Sequence, residues 1–448
     1  MLQRLTSIYI ALLLTVFLLA FPRGGYEAIV SFKYSLFLLI CGGYVVSIIV
    51  LRSWYAATRV QPAINIAQKL RELPLPIKFL LAFLLFSIAS ALLSPHPGVI
   101  LGNFRNEGVL TLGIYVLSCI FVAAYFQPQK WMFYLLGAGV TLTSTLALVQ
   151  LTGANPFGLY PIGHNYYGAG IYYSGEFLST IGNAGLLGGF LSLAVGILAM
   201  AIIKLDFKER WFLAIPLFIA VLLVFSMGIN AAVLAVTAGL VIMIPISVTN
   251  QRTRANTFAV LSVILAAYCL SRILVFQDGY VLFGLHLWQY SGTSGSMVYE
   301  ASQILQGNWD DSFGSQRIFI WRNVLESIQL NTLLFGTGPD TLGHWAIPPF
   351  TRYNEHLGIT LTNIIDAAHN EFLHIMATTG LLSLLAYLGA MLTVAVGWFR
   401  QCGNALSATT GAGVLFYVIQ SFFGISQFIT APFFWACFGM LIYAQNRG

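Results

Sequence analysis

The residues best suited to chemistry are gathered in Asp366-Ala367-Ala368-His369-Asn370-Glu371-Phe372-Leu373-His374. An imidazole titrates near neutral pH, as a general base must, and a nearby carboxylate orients it and raises its basicity. Helical spacing places Asp366, Asn370 and His374 on one stripe, with His369 beside Asp366 at i+3. The competing reading is structural: Asp366 or Asn363 caps a helix, and His369 is an interfacial residue.

Arginines outside the apolar runs are the second signal. Arg105 sits in a short glycine-flanked segment, Gly102-Asn103-Phe104-Arg105-Asn106-Glu107-Gly108. Arg317 opens an amphipathic stretch that also carries Arg322. Planar guanidinium groups suit bidentate binding of phosphate, although any one of them also reads as a solvated charge. Tyr160, Tyr166, Tyr167, Tyr172 and Tyr173 fall in a Gly-rich segment and suit either sugar stacking or a membrane interface. Asp310-Asp311 reads as a polar turn rather than a metal site, and no phosphate-loop, nucleophile-elbow or HExxH motif is present. No metal and no cofactor is expected.

These residues need elements to position them, and composition identifies those. The 448 residues are 58% hydrophobic and 8% charged, with a mean hydropathy of +0.82. Soluble domains average about 25% charged residues, so the pattern is that of an all-α polytopic membrane protein. Apolar runs of roughly 17 to 28 residues recur about twelve times, the first near 6–22 and the tenth near 372–399. With the N-terminus in the cytosol, fourteen of the 21 lysines and arginines fall on inner segments and seven on outer ones. Every histidine and most acids then lie outside. Both termini are accordingly expected in the cytoplasm, with the titratable chemistry extracytoplasmic. The net charge of +6 is a topology signal, and nucleic acid is not an expected partner. The five cysteines include no CxxC pair, which argues against disulfides and zinc.

Three parts follow. Residues 1–276 hold helices 1–9 with short outer loops at 95–107 and 152–181. Residues 277–371 form a large extracytoplasmic loop with short surface helices between helices 9 and 10, and residues 372–448 supply helices 10–12. Residues 52–77 are expected to form an inner surface helix around Ile64–Leu70. In the large loop, Ile318, Trp321, Val324, Leu325 and Ile328 share one helical face, with Ser315 as its N-cap, and such a helix would lie on the membrane surface.

The motifs resemble those of the O-antigen ligase and O-antigen polymerase superfamily, which also contains bacterial O-oligosaccharyltransferases. The similarity lies in Arg317-Ile318-Phe319-Ile320-Trp321, then Leu334-Phe335-Gly336-Thr337-Gly338, then His369-Asn370-Glu371-Phe372-Leu373 and Thr378-Thr379-Gly380-Leu381-Leu382, in that order. Gly102–Gly108 and Ile181-Gly182-Asn183 with Leu186-Leu187-Gly188-Gly189 add weaker matches. One departure stands out: family members commonly carry Ser-Arg-Gly where this chain reads Ser226-Met227-Gly228.

The resemblance implies a metal-independent glycosyltransferase of a bacterial plasma membrane. Its donor would be a glycan on a polyprenyl diphosphate in the lipid bilayer, and its acceptor a glycan, glycolipid or protein hydroxyl. It implies His369 as general base, Asp366 as its orienting partner, and Arg105 with Arg317 as the diphosphate clamp. Arg322, Asn370, Glu371 and His374 are further substrate-binding candidates. The alternatives are a transporter or flippase of lipid-linked oligosaccharide, and a peptidoglycan-type polymerase. Transporters place polar sites near the midplane, whereas the polar residues here gather on one side.

Overall fold

The structure is a computed structural model that describes residues 1–58, 71–169, 176–277, 280–283, 297–354 and 358–447. Helix dominates, and among the described residues strand is confined to three short antiparallel hairpins. Among the described residues, eight helices are long and apolar enough to cross a membrane, and Leu2–Phe17 and Val109–Tyr125 are shorter apolar helices. The helices used below are α1 (Leu2–Leu12), α2 (Ile29–Phe37), α3 (Gly43–Thr58), α4 (Leu75–Leu93), α5 (Val109–Tyr125) and α6 (Lys130–Leu151). They continue with α7 (Ala184–Lys204), α8 (Ala214–Met227), α9 (Asn230–Ser247) and α10 (Gln251–Ile273). The expected inner surface helix around Ile64–Leu70 lies outside the described residues.

The centre of the bundle is α7, the one span whose apolar window is buried on every side. Its sequence, rich in Gly and Ala, explains why. Gly196 lies so close to the carbonyl of Ala412 that an added Cβ would sit 2.6 Å from that oxygen. Small residues let helix backbones approach in this way where no hydrophobic effect drives them together.

Two π turns, Leu13–Phe17 and Leu38–Gly42, interrupt the first helices. Carbonyls loosened at such a turn need donors inside a membrane. Lys33 Nζ donates to Phe17 O (2.6 Å) and Leu18 O (3.3 Å), and the Thr180 hydroxyl donates to Leu18 O (2.8 Å).

The remaining helices are α11 (Met297–Leu305), α12 (Phe313–Ser327), α13 (Glu371–Thr379), α14 (Leu381–Arg400), α15 (Ala405–Ser421) and α16 (Ala431–Arg447). The expected run 372–399 is therefore two helices. Gly380 at φ +91° ends α13, and a Cβ there would meet Leu334 O at 2.3 Å, so the break is fixed by packing.

The expected helix exists as α12, and its packed face keeps Trp321, Val324 and Ile328 of the expected one while adding Ile320. Ile320 and Val324 pack against Leu342, Ala346, Ile347, Ala368 and Ala377, while Leu325 is 53% exposed. This small core belongs to residues 313–377 themselves, so α12 covers its own loop. Ser315 does not cap it: Gly314, Ser315 and Gln316 all have positive φ, and regular helix begins after them.

Candidate active site

The site is built on the turn Gly336–Thr341. Gly338 N–H donates to Thr378 O (2.8 Å), and the Ser94 hydroxyl donates to Thr337 O (2.5 Å). The turn thereby ties α4 to α13. At its end Asp340, 1% exposed, accepts on Oδ2 the backbone N–H groups of Asn103 (2.8 Å), Phe104 (3.0 Å) and Arg105 (2.9 Å). One carboxylate oxygen thus folds the segment that presents Arg105. Gly102, at φ +101°, is required beside it, because a Cβ would lie 2.6 Å from that oxygen. Burial raises the Asp340 carboxyl above its usual range, and the amides oppose the shift by favouring the ion.

Arg105 then reaches Asp366, with Nη2 2.7 Å from Oδ1 and both side chains about four-fifths covered. This differs from the expected helical stripe. The helix starts only at Glu371, after an N-cap at Asn370 whose side chain accepts Leu373 N–H (3.0 Å). His369, at φ +48°, turns the chain out of any helix that would include Asp366. Asp366 is therefore the salt-bridge partner of Arg105, and it reaches His369 only as a nearby negative charge. Trp321 of α12 fixes the same bend by donating from Nε1 to Ala368 O (2.9 Å).

Arg317 approaches from α12. Its Nε donates to Phe423 O (3.0 Å) and its Nη1 to Gly314 O (2.6 Å). His369 feels both arginines. Burial, then Arg105, then Arg317 lower its pKa to about 4 against the opposing charge of Asp366, so the imidazole is neutral at pH 7. His374, one turn into α13, is likewise lowered to about 4, first by burial and then by Arg105. Arg322 stands apart: 53% exposed, it pairs with Asp311 (2.5 Å) rather than with any group acting on His369. Such an exposed pair contributes little to stability.

Beneath these residues lies a cavity of about 60 Å³. Arg105, Glu107, Asp340, Asn370, Glu371 and His374 supply its polar wall, and Phe83, Tyr115, Tyr387 and Trp435 its aromatic one. Tyr115 OH donates to Glu107 Oε1 (2.8 Å), which also accepts Phe428 N–H (2.6 Å). Tyr387 OH donates to Glu371 Oε1 (2.8 Å). Burial raises Glu371 to about 7, outweighing the Tyr387 and Ser421 hydroxyls, which favour the ion. Glu107 is pushed well above the carboxylate range, chiefly by burial.

The structure thus brings Arg105, Arg317, Asp366, His369, Asn370, Glu371 and His374 together and leaves Arg322 outside. Sequence reasoning assigned no role to Asp340 or Glu107, although Glu107 lies within the Gly102–Gly108 segment and Asp340 two residues past Leu334–Gly338. Their shared signal is an acid beside a glycine turn in a chain with very few acids. At Ser226-Met227-Gly228, Arg272 from α10 donates from Nη2 to Phe225 O (2.7 Å), so a guanidinium does stand beside the turn that lacks one in sequence.

Residues 177–388 match the model of a protein family described as O-antigen ligase. That stretch contains α7 to α13 and, of the site residues, Arg317, Asp340, Asp366, His369, Asn370, Glu371, His374 and Tyr387, whereas Phe83, Arg105, Glu107, Tyr115 and Trp435 lie outside it. No curated protein matches the chain.

Proposed function

For a chain that carries an O-antigen ligase family domain over residues 177–388, and that is a helical membrane protein by its spans, we propose glycan transfer from a polyprenyl-diphosphate donor to an acceptor hydroxyl during cell-surface polysaccharide synthesis. The observation that carries this reading is His369, neutral and half-buried, within the field of two arginines that reach it from opposite parts of the sequence.

In this mechanism the diphosphate sits on Arg105 and Arg317. The acceptor oxygen attacks the anomeric carbon, its proton passes to His369, and the anomeric C–O bond breaks with its electron pair leaving on the lipid diphosphate. The guanidinium groups stabilise that developing charge from fixed positions. The donor also tunes the base. In the free site burial, with the two cations adding to it, holds the imidazole at about 4; an anion placed between the cations removes their part of the shift and raises its basicity. Donor binding therefore arms the base. Asp366 holds Arg105 in place and adds its negative charge to the same field. Arg272 supplies a third cation beside the turn at Ser226–Gly228.

The reaction fits the outer surface of a bacterial plasma membrane with both termini inside, as the distribution of lysine and arginine favours. Wild type and His369→Ala, expressed at matched levels in a strain lacking the native gene, test it through surface glycans run on a gel. Loss of transferred glycan with accumulation of lipid-linked precursor supports the reading, and normal product from the variant removes His369 as base. A ladder in the wild type identifies a polymerase, and transfer of a single block a ligase. Precursor retained on the cytosolic leaflet in the null strain would instead favour a flippase.

A further inference from the structure

The cavity under His374 contains more polar chemistry than binding a diphosphate requires. Four buried atoms on its lining residues have no hydrogen-bond partner: Arg105 Nε, Asp340 Oδ1, Glu371 Oε2 and His374 Nδ1. Glu371 is 6% exposed. They form a complementary set, with a donor on Arg105, acceptors on the two carboxyls and an imidazole nitrogen that does either. The cavity, about 60 Å³, is lined mostly by apolar side chains with these polar groups set into its wall, and it has room for ordered water that would need two to four such partners.

We propose that this cavity is a hydrated proton-holding site, in which Glu371 receives through His374 and bridging water the proton that His369 takes from the acceptor. The proposal rests on the transfer reading above. The step balances: the imidazolium of His369 returns to neutral imidazole, the Glu371 carboxylate becomes the carboxylic acid, and the proton later leaves to water. No oxidant, metal or second substrate enters.

Three observations single out Glu371. It lies at i and His374 at i+3 of α13, hence on one helix face, and both line the cavity. Each of the other two acids is better satisfied. Asp340 is bonded to four amides on one oxygen, and Glu107 to Tyr115 and the Phe428 amide. Three carboxyls around so small a space cannot all ionise, and Arg105 is already paired with Asp366. The other groups facing Glu371 are Tyr387 from α14 and Tyr417 from α15, both neutral phenols that hold no competing charge. Titration at about 7 suits a group that must both accept and release a proton near neutrality. A route inward is needed because a lipid-linked glycan seated on Arg105 and Arg317 covers the open face of His369.

The test is the pH profile of kcat/KM, which reports the free enzyme. Wild type should lose activity as pH falls through about 7, where Glu371 takes up its proton. Glu371→Gln should lack that limb and lose roughly tenfold to hundredfold in kcat with little change in KM for the donor. Retention of the limb would overturn the proposal, since a merely structural carboxyl would leave it in place. Tyr387→Phe serves if Glu371→Gln fails to fold. Removing the hydroxyl that favours the ion should move the limb to higher pH, and an unmoved limb would sink the idea. Infrared difference spectra of the solubilised whole protein separate this test from the transfer reading. They should show a buried carboxyl titrating near neutrality whether or not glycan is transferred. Product formation with no such carboxyl contradicts the proton site alone; the carboxyl without product contradicts only the transfer reading.

Discussion

Two buried polar clusters in this molecule solve the same problem in opposite ways. One joins the first hairpin to the bundle. Tyr26 OH donates to Ser179 O (2.8 Å), Gln150 Nε2 donates to Tyr26 OH (2.8 Å), and Ser179 N–H donates to Gln150 Oε1 (2.6 Å). Lys33 and Thr180 complete it by serving the carbonyls of the π turn. The other is the cavity site, where an arginine, two acids and a histidine each keep a buried atom without a partner. A buried polar group left unpaired costs about 1–3 kcal/mol. Satisfied networks hold a unique structure, while unsatisfied ones store capacity for a ligand or a proton. The first cluster holds shape, and the second is where reaction chemistry has been kept open.

That contrast is breakable by substitution. The largest effect belongs to His369→Ala, which should lower transfer roughly 10²- to 10⁴-fold, the range of general-base catalysis, at unchanged protein level. Arg105→Lys follows, with an expected loss of roughly 10- to 100-fold in kcat/KM, because an ammonium cannot hold Asp366 and a phosphate with the same planar fork. Asp340→Ala should then cost activity through Arg105, since four amides lose their common acceptor. Asp340→Asn, which keeps one carbonyl oxygen, should recover much of it; equal loss in both variants would show that Arg105 is positioned otherwise. The smallest effect on rate is expected in the satisfied cluster. Gln150→Ala should reduce stability by about 1–3 kcal/mol in thermal unfolding while kcat stays within about twofold. A catalytic defect there would erase the distinction between the two regions.

The fold was legible where hydropathy alone decides it. Long apolar runs become helices because a lipid environment leaves backbone groups no other partners, and the apolar run near 182–203 is the helix α7, although nothing in the sequence marked it as the central one. Breaks imposed by packing were not legible. Gly380 resembles an ordinary glycine in an apolar run until Leu334 O is found against it. Likewise the helical spacing from Asp366 to His374 was sound arithmetic on a segment that is helical only from Glu371. Asp366 instead found a partner 261 positions away, and pairings at that separation leave no trace in local pattern. His369, Arg105 and Arg317 were readable because charge is so scarce in this chain that each one needs a reason. Asp340 was hidden in plain sight as a turn residue.

The central claim is met most directly by purified protein in proteoliposomes, supplied with a polyprenyl-diphosphate-linked glycan and an acceptor glycan, with a chelator present. Wild type should form transferred glycan and release lipid diphosphate, and His369→Ala should form neither above background. Equal product from the variant, or movement of the lipid across the bilayer with no glycosidic bond formed, would contradict the account.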